Sequence, residues 1–186
     1  MIESENILRI LKETQQAINE NNPSKLKNLS DQTIHKSSTN QDNDNISIAV
    51  TVYSLGKIFE RQDYRSLKGW DDFKRLLDSN LKRSIKHLEK NDIEGFRKHF
   101  ELIGKAINKI SGKLKKYIQE VFEKAKVNKA SRIHEHGVSL GKTAKLLGVT
   151  VYDLANYTGS TGIADNSLSE TEKVKRRIKI AEEILG

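Results

Sequence analysis

The sequence predicts an all-α fold. Three observations carry that expectation: charged residues make up 31% and aromatic residues 6% of the 186 positions, proline occurs once, at Pro23, and apolar residues recur at steps of three and four along most of the chain. A sheet sandwich needs many turn residues and strict alternation, whereas this composition suits helices with one apolar stripe. The pattern divides into an N-terminal helical bundle, residues 1–125, and a region of short helices ending in a C-terminal helix, residues 126–186.

The elements follow in order. Ile7, Leu8, Leu11 and Ile18 fall at helical spacing, and Asn21-Asn22-Pro23 closes that helix because proline cannot donate a backbone hydrogen bond. Leu26 and Leu29 predict a short second helix. Residues 30–45, SDQTIHKSSTNQDNDN, are almost wholly polar and read as a loop, the clearest internal break. In ISIAVTVYSLGKIFERQ, 46–62, Ile46, Ile48, Val50 and Val52 alternate like a strand, while Ile48, Val52, Leu55 and Phe59 share a helical face. Helix is expected, capped by Asp44 or Asn45, because the run exceeds strand length and no partner strand is visible.

Trp70, Phe73, Leu77, Leu81, Ile85 and Leu88 define an amphipathic helix over 70–91. From Phe96 through Phe100, Ile103, Ile107, Ile110, Leu114 and Ile118 to Phe122 the stripe continues as one long helix or two, softened at Gly104 and Gly112. The last piece, SLSETEKVKRRIKIAEEILG, opens with a capping box, Ser169 and Glu172, and spaces Val174, Ile178, Ala181 and Leu185 like a short heptad pair. It is expected to pack on its own domain or to lengthen a dimer interface.

Cysteine is absent, which excludes disulfides, thiolate metal sites and thiol nucleophiles. The charged, amphipathic N-terminus is no signal peptide, and no stretch approaches the roughly 20 apolar residues of a membrane span. A cytoplasmic protein without membrane contact is expected. Net charge is +8, concentrated in residues 46–130, where 20 Lys and Arg face 11 Asp and Glu. Nine Lys and Arg lie between 105 and 132 (105, 109, 113, 115, 116, 124, 126, 129 and 132), predicting a basic helix face that attracts a polyanion.

The stretch GVSLGKTAKLLGVTVYDLANYTG, 137–159, carries two competing patterns. Gly141-Lys142-Thr143 ends like a phosphate-binding loop, but Gly137 to Gly141 is one residue short of that motif and no buried strand precedes it. A helix-turn-helix accounts for more residues. Ala144 suits the helix crossing, Gly148 the left-handed turn, and Leu147, Val149, Leu154 and Tyr157 the flanking apolar contacts. Ser139 can cap the first helix, Thr150 with Asp153 the second, and Gly137 can end the basic helix before them.

These residues resemble the helix-turn-helix of small prokaryotic DNA-binding regulators of archaeal type, including antitoxin-like proteins with the pattern G-x-S-x-x-x-A-x-x-L-G-V-[ST]. The resemblance covers about residues 127–160 and departs at Thr143, a polar residue at a usually apolar contact. It implies that the second helix enters the major groove of double-stranded DNA, with Thr150, Val151, Tyr152 and Asn156 facing bases. Ser139, Lys142, Lys145 and Arg132 would then face phosphates. Asn156 suits a bidentate bond to adenine and Val151 a thymine methyl. No Lys or Arg lies between Lys145 and Lys173, so a homodimer bridged by the N-terminal helices is expected to supply enough phosphate contacts.

Other chemistry is thin. His134 and His136, two apart, point to different sides of a helix and read as helix-end groups near its C-terminal dipole. His35, Asp42 and Asp44 lack the glycine and distal glutamate of a calcium loop. Arg83 and His87 resemble the Arg and His pair of helical ribonucleases at a tighter spacing, and no serine sits in a nucleophile elbow. The expected function is a sequence-specific transcriptional regulator, not an enzyme, with no cofactor and no metal. Antitoxin-like masking of a protein partner, a protein-interaction adaptor and a helical ribonuclease are the alternatives.

Overall fold

Helix boundaries are set by residues that satisfy the orphan amides of a first turn or take a left-handed backbone. In a computed structural model, which describes residues 2–40, 43–106 and 112–160, these devices delimit eight α-helices, and no strand occurs among the described residues. Helix α1 spans Ile2–Asn19 and α2 Pro23–Asn40. Between them Asn21 turns at φ 53°, and the Asn22 carboxamide oxygen accepts the Lys25 amide at 3.0 Å, capping α2 just ahead of Pro23.

Helix α3 spans Asn43–Glu60, a 3₁₀ turn covers Gln62–Ser66, and α4 runs Trp70–Glu89. Helix α5 spans Ile93–Ala106 and α6 Gly112–Glu135. The stripe beyond Asn91 is thus two helices, and Ile107 and Ile110 lie outside the described residues. Asp92 caps α5 by accepting the Gly95 amide at 2.8 Å. Helices α7, Leu140–Leu147, and α8, Val151–Ser160, complete the described chain. The expected C-terminal helix, residues 169–185, lies outside it.

One core forms where the predicted stripes converge. Ile10 and Leu11 of α1, Leu26 and Leu29 of α2, Leu55 and Ile58 of α3, Leu77 and Leu81 of α4, Phe96 of α5 and Ile118 of α6 are all buried in it. Every member of the α4 stripe, from Trp70 to Leu88, is buried as its spacing requires. Both patterns of α3 are buried, Ile46 and Val50 in a second cluster and Ile48, Val52, Leu55 and Phe59 in the first. That explains why the alternation and the helical face were superimposed in the sequence.

Two expectations are corrected. Residues 30–40 belong to α2 and are no loop. The Ser30 hydroxyl donates to the Ala49 carbonyl at 2.7 Å and the Thr33 hydroxyl to the Leu29 carbonyl at 2.8 Å, so small hydroxyl residues face α3 with their polarity satisfied. Asp44 and Asn45 lie inside the first turn of α3, not at its cap. Asp44 instead accepts the Arg97 guanidinium, with Nη2 at 2.7 Å, tying α3 to α5. Helix α6 runs continuously through residue 125. The second core joins Ile34 of α2, Ile46 and Val50 of α3 and Ala130 and Ile133 of α6 to Val138, Ala144, Leu147 and Leu154, so the C-terminal helices share a core with the bundle.

Candidate nucleic-acid interface

The candidate interface begins at the end of α6. Gly137 takes φ 90° and donates to the His134 carbonyl at 2.8 Å, while His134 Nδ1 donates to the Val138 carbonyl at 2.8 Å. That turn buries Val138 and releases Ser139, whose hydroxyl accepts the Lys142 amide at 3.4 Å to cap α7. Gly148 ends α7 at φ 64°, ψ 35°, donating to the Ala144 carbonyl. A side chain there would strain the backbone, as left-handed geometry crowds Cβ.

Thr150 then starts α8. Its hydroxyl accepts the Asp153 amide at 2.9 Å and donates to Asp153 Oδ2 at 2.6 Å. The carboxylate therefore braces the capping hydroxyl and not the Thr150 amide, a variant of the expected box. Leu154 and Thr158 turn inward, and the half-buried Tyr157 accepts the Asn128 carboxamide N–H at 2.8 Å, pinning α8 to α6.

What remains outward is the predicted reading face. Val151 is 49% and Tyr152 74% exposed, and Thr150 and Asn156 are also exposed. Ser139, Lys142, Lys145 and Arg132 are exposed too. The structure sorts these residues into two depressions. Thr150 and Asn156 line one of about 740 Å³ with Lys124 and Glu123, and Lys142 and Lys145 line one of about 660 Å³ with Lys126 of α6. Arg132 lies 3.2 Å from Glu135 of its own helix.

The basic face is weaker than the count of cations implied. Lys129 is fully buried, its ammonium 2.7 Å from Asp31, and leaves the surface altogether. Lys124 pairs with Glu120 at 2.7 Å and Lys126 with Glu123 at 2.8 Å. The Lys124 hydrogen bond holds the Glu120 carboxyl below its usual range. Thr143, flagged as the departure from the helix-turn-helix pattern, is fully buried on α7, and its hydroxyl finds no hydrogen-bond partner.

No family model, curated protein or solved structure matches this chain.

The remaining candidates are placed as follows. His87 Nδ1 lies 2.7 Å from Asp92 Oδ2, and its ring stacks on His99 with centroids 5.0 Å apart, while Arg83 is exposed on the same helix. Gly95 lies so close to His87 and Asp92 that any Cβ would collide with both. Burial and the neighbouring His87 push the His99 imidazole below its ordinary value. Among the described residues no group of three His, Cys, Asp or Glu is placed to hold a metal ion, and no helix is long and apolar enough to cross a membrane.

Sequence reasoning missed one site entirely. Tyr64 and Tyr117 stack with centroids 5.4 Å apart, and with Tyr53 and Tyr157 they line a cleft of about 880 Å³ between α3, the 3₁₀ turn, α6 and α8. Four of the five tyrosines in the chain meet there from distant positions, a convergence with no local sequence signal.

Proposed function

We propose that the chain is a sequence-specific DNA-binding transcriptional regulator that reads the major groove with α8. One observation carries this reading: the first turns of α8 present Thr150, Val151, Tyr152 and Asn156 outward while the Gly148 turn, the Thr150 cap and buried Leu154 hold the helix by its opposite side. A rigid helix with an exposed N-terminal half has the shape a major groove admits. Lys142 and Lys145 on α7, neither in an ion pair among the described residues, stand at the N-terminal side of the turn as phosphate contacts. The likeness of residues 127–160 to small prokaryotic regulators points the same way. A homodimer is part of the proposal, since α8 brings no cation of its own.

A second reading, docking of a protein partner on the same face, draws on a specific feature. Helix α8 carries no Lys or Arg, has Asp153 in its first turn, and exposes the apolar bulk of Val151 and Tyr152. The two separate in a selection of duplexes from a random pool followed by titration at two salt concentrations. DNA reading requires an enriched motif and an affinity that falls with salt at a slope of roughly 0.9 per phosphate contact. Absence of any enriched motif, with affinity for duplex indifferent to sequence, sinks it and leaves protein docking.

A further inference from the structure

The tyrosine-lined cleft is large enough for a small ligand, as such pockets run to roughly 300–1,000 Å³. Its chemistry is specific. Tyr64 is buried and Tyr117, 38% exposed, stacks on it at an interplanar angle of 16°, so the pair offers a flat aromatic shelf at the wall of the cleft. Lys57, Arg61, Lys113 and Lys124 surround it against two carboxylates, Asp63 and Glu120. Lys57 and Lys124 already lie near Glu60 and Glu120, but Lys113, one helical turn before Tyr117, makes no ion pair among the described residues. Nor does Arg61, whose guanidinium sits 6.0 Å from the Tyr64 ring. A flat π-surface beside cations that make no close ion pair selects a planar ring that bears an anionic substituent.

The lining also includes Tyr157 of α8, the residue that accepts from Asn128 and pins α8 to α6. We propose that this cleft binds a small anion of the nucleoside monophosphate class, its neutral base stacked on Tyr117 and its phosphate charge-paired with Lys113 and Arg61, and that occupancy sets how α8 seats on α6. A ligand that touches Tyr157 as well favours one seating of the helix over another. The ligand site stands by itself. The consequence for DNA rests on the proposed function above.

Titration calorimetry of the full chain with AMP and GMP tests the site without DNA, with adenosine and inorganic phosphate as separate probes. Expected is saturable binding of at least one nucleotide, at least about tenfold tighter than adenosine or phosphate, and a loss of about tenfold or more in both Tyr117→Ala and Lys113→Glu. Both positions are exposed, and circular dichroism melts of the two variants, with Lys113→Gln as a milder third, report folding. Absence of saturable binding by either nucleotide, or equal binding by folded Tyr117→Ala and Lys113→Glu, overturns the site. Nucleotide binding that leaves affinity for a selected duplex unchanged overturns the coupling to α8, while failure of all duplex binding with nucleotide binding intact overturns the DNA reading alone.

Discussion

Lys129 of α6 donates to the Asp31 carboxylate of α2 at 2.7 Å, and the same ammonium stands 4.1 Å from the ring centroid of Tyr53 on α3. The Lys129 side chain is 1% exposed and that of Asp31 is 58% exposed, so the buried cation reaches outward to a partner at the surface. Burial lowers the Lys129 pKa, and the Asp31 hydrogen bond and charge oppose that loss. One side chain thereby links three helices at the junction between the bundle and the C-terminal helices.

Asp31→Asn leaves that ammonium without its counter-charge and is expected to cost about 1–3 kcal/mol, less than a fully buried pair because water reaches Asp31. Lys129→Met removes the buried charge itself and should cost about 1 kcal/mol or less. Urea unfolding of both variants checks the order, and a Met variant weaker than the Asn variant rejects this account.

Gly148→Ala meets open space, so its cost is backbone strain alone, about 1–2 kcal/mol for a non-glycine residue at φ 64°. Gly141→Ala, in the first turn of α7 and equally open, should have the opposite sign, a gain of about 0.5 kcal/mol. Thermal melts of the pair test the turn against simple crowding.

Thr143→Val keeps the shape of a fully buried side chain and deletes a hydroxyl with no partner. A gain of about 1 kcal/mol is expected from removing that desolvated group. A loss in urea unfolding would place a hydrogen bond on that hydroxyl.

His99 packs against His87, with Arg83 and Lys98 adding positive charge and Asp92 engaged by His87. Its folded pKa lies below the ordinary 6.5, so below that pH the unfolded chain binds more protons than the folded one. Its stabilising share is complete above about pH 6.5 and declines as pH falls through that value toward the folded pKa. His99→Gln should flatten this part of the stability curve, measured as midpoint against pH from about 7.5 to 5.

Asn156→Ala should leave stability within about 0.5 kcal/mol, because the residue is exposed on α8. On a selected duplex it should relax preference at one base pair by about 1–3 kcal/mol. Lys145→Gln should instead weaken all duplexes alike and reduce the salt slope by about 1.

By itself the sequence determined the all-α class, the stripes of α1, α4 and α5 and the turn devices at Ser139, Gly148 and Thr150, because each depends on residues within one or two turns of each other. The helical nature of residues 30–40 was not legible, since Ser30 and Thr33 count as polar until the Ala49 and Leu29 carbonyls that satisfy them are in place. The burial of Lys129, the shared core across residue 125 and the meeting of Tyr53, Tyr64, Tyr117 and Tyr157 were decided by tertiary structure alone. A charge or ring far along the chain acquires its dielectric and its partners only when helices pack, and spacing along one helix carries no record of that.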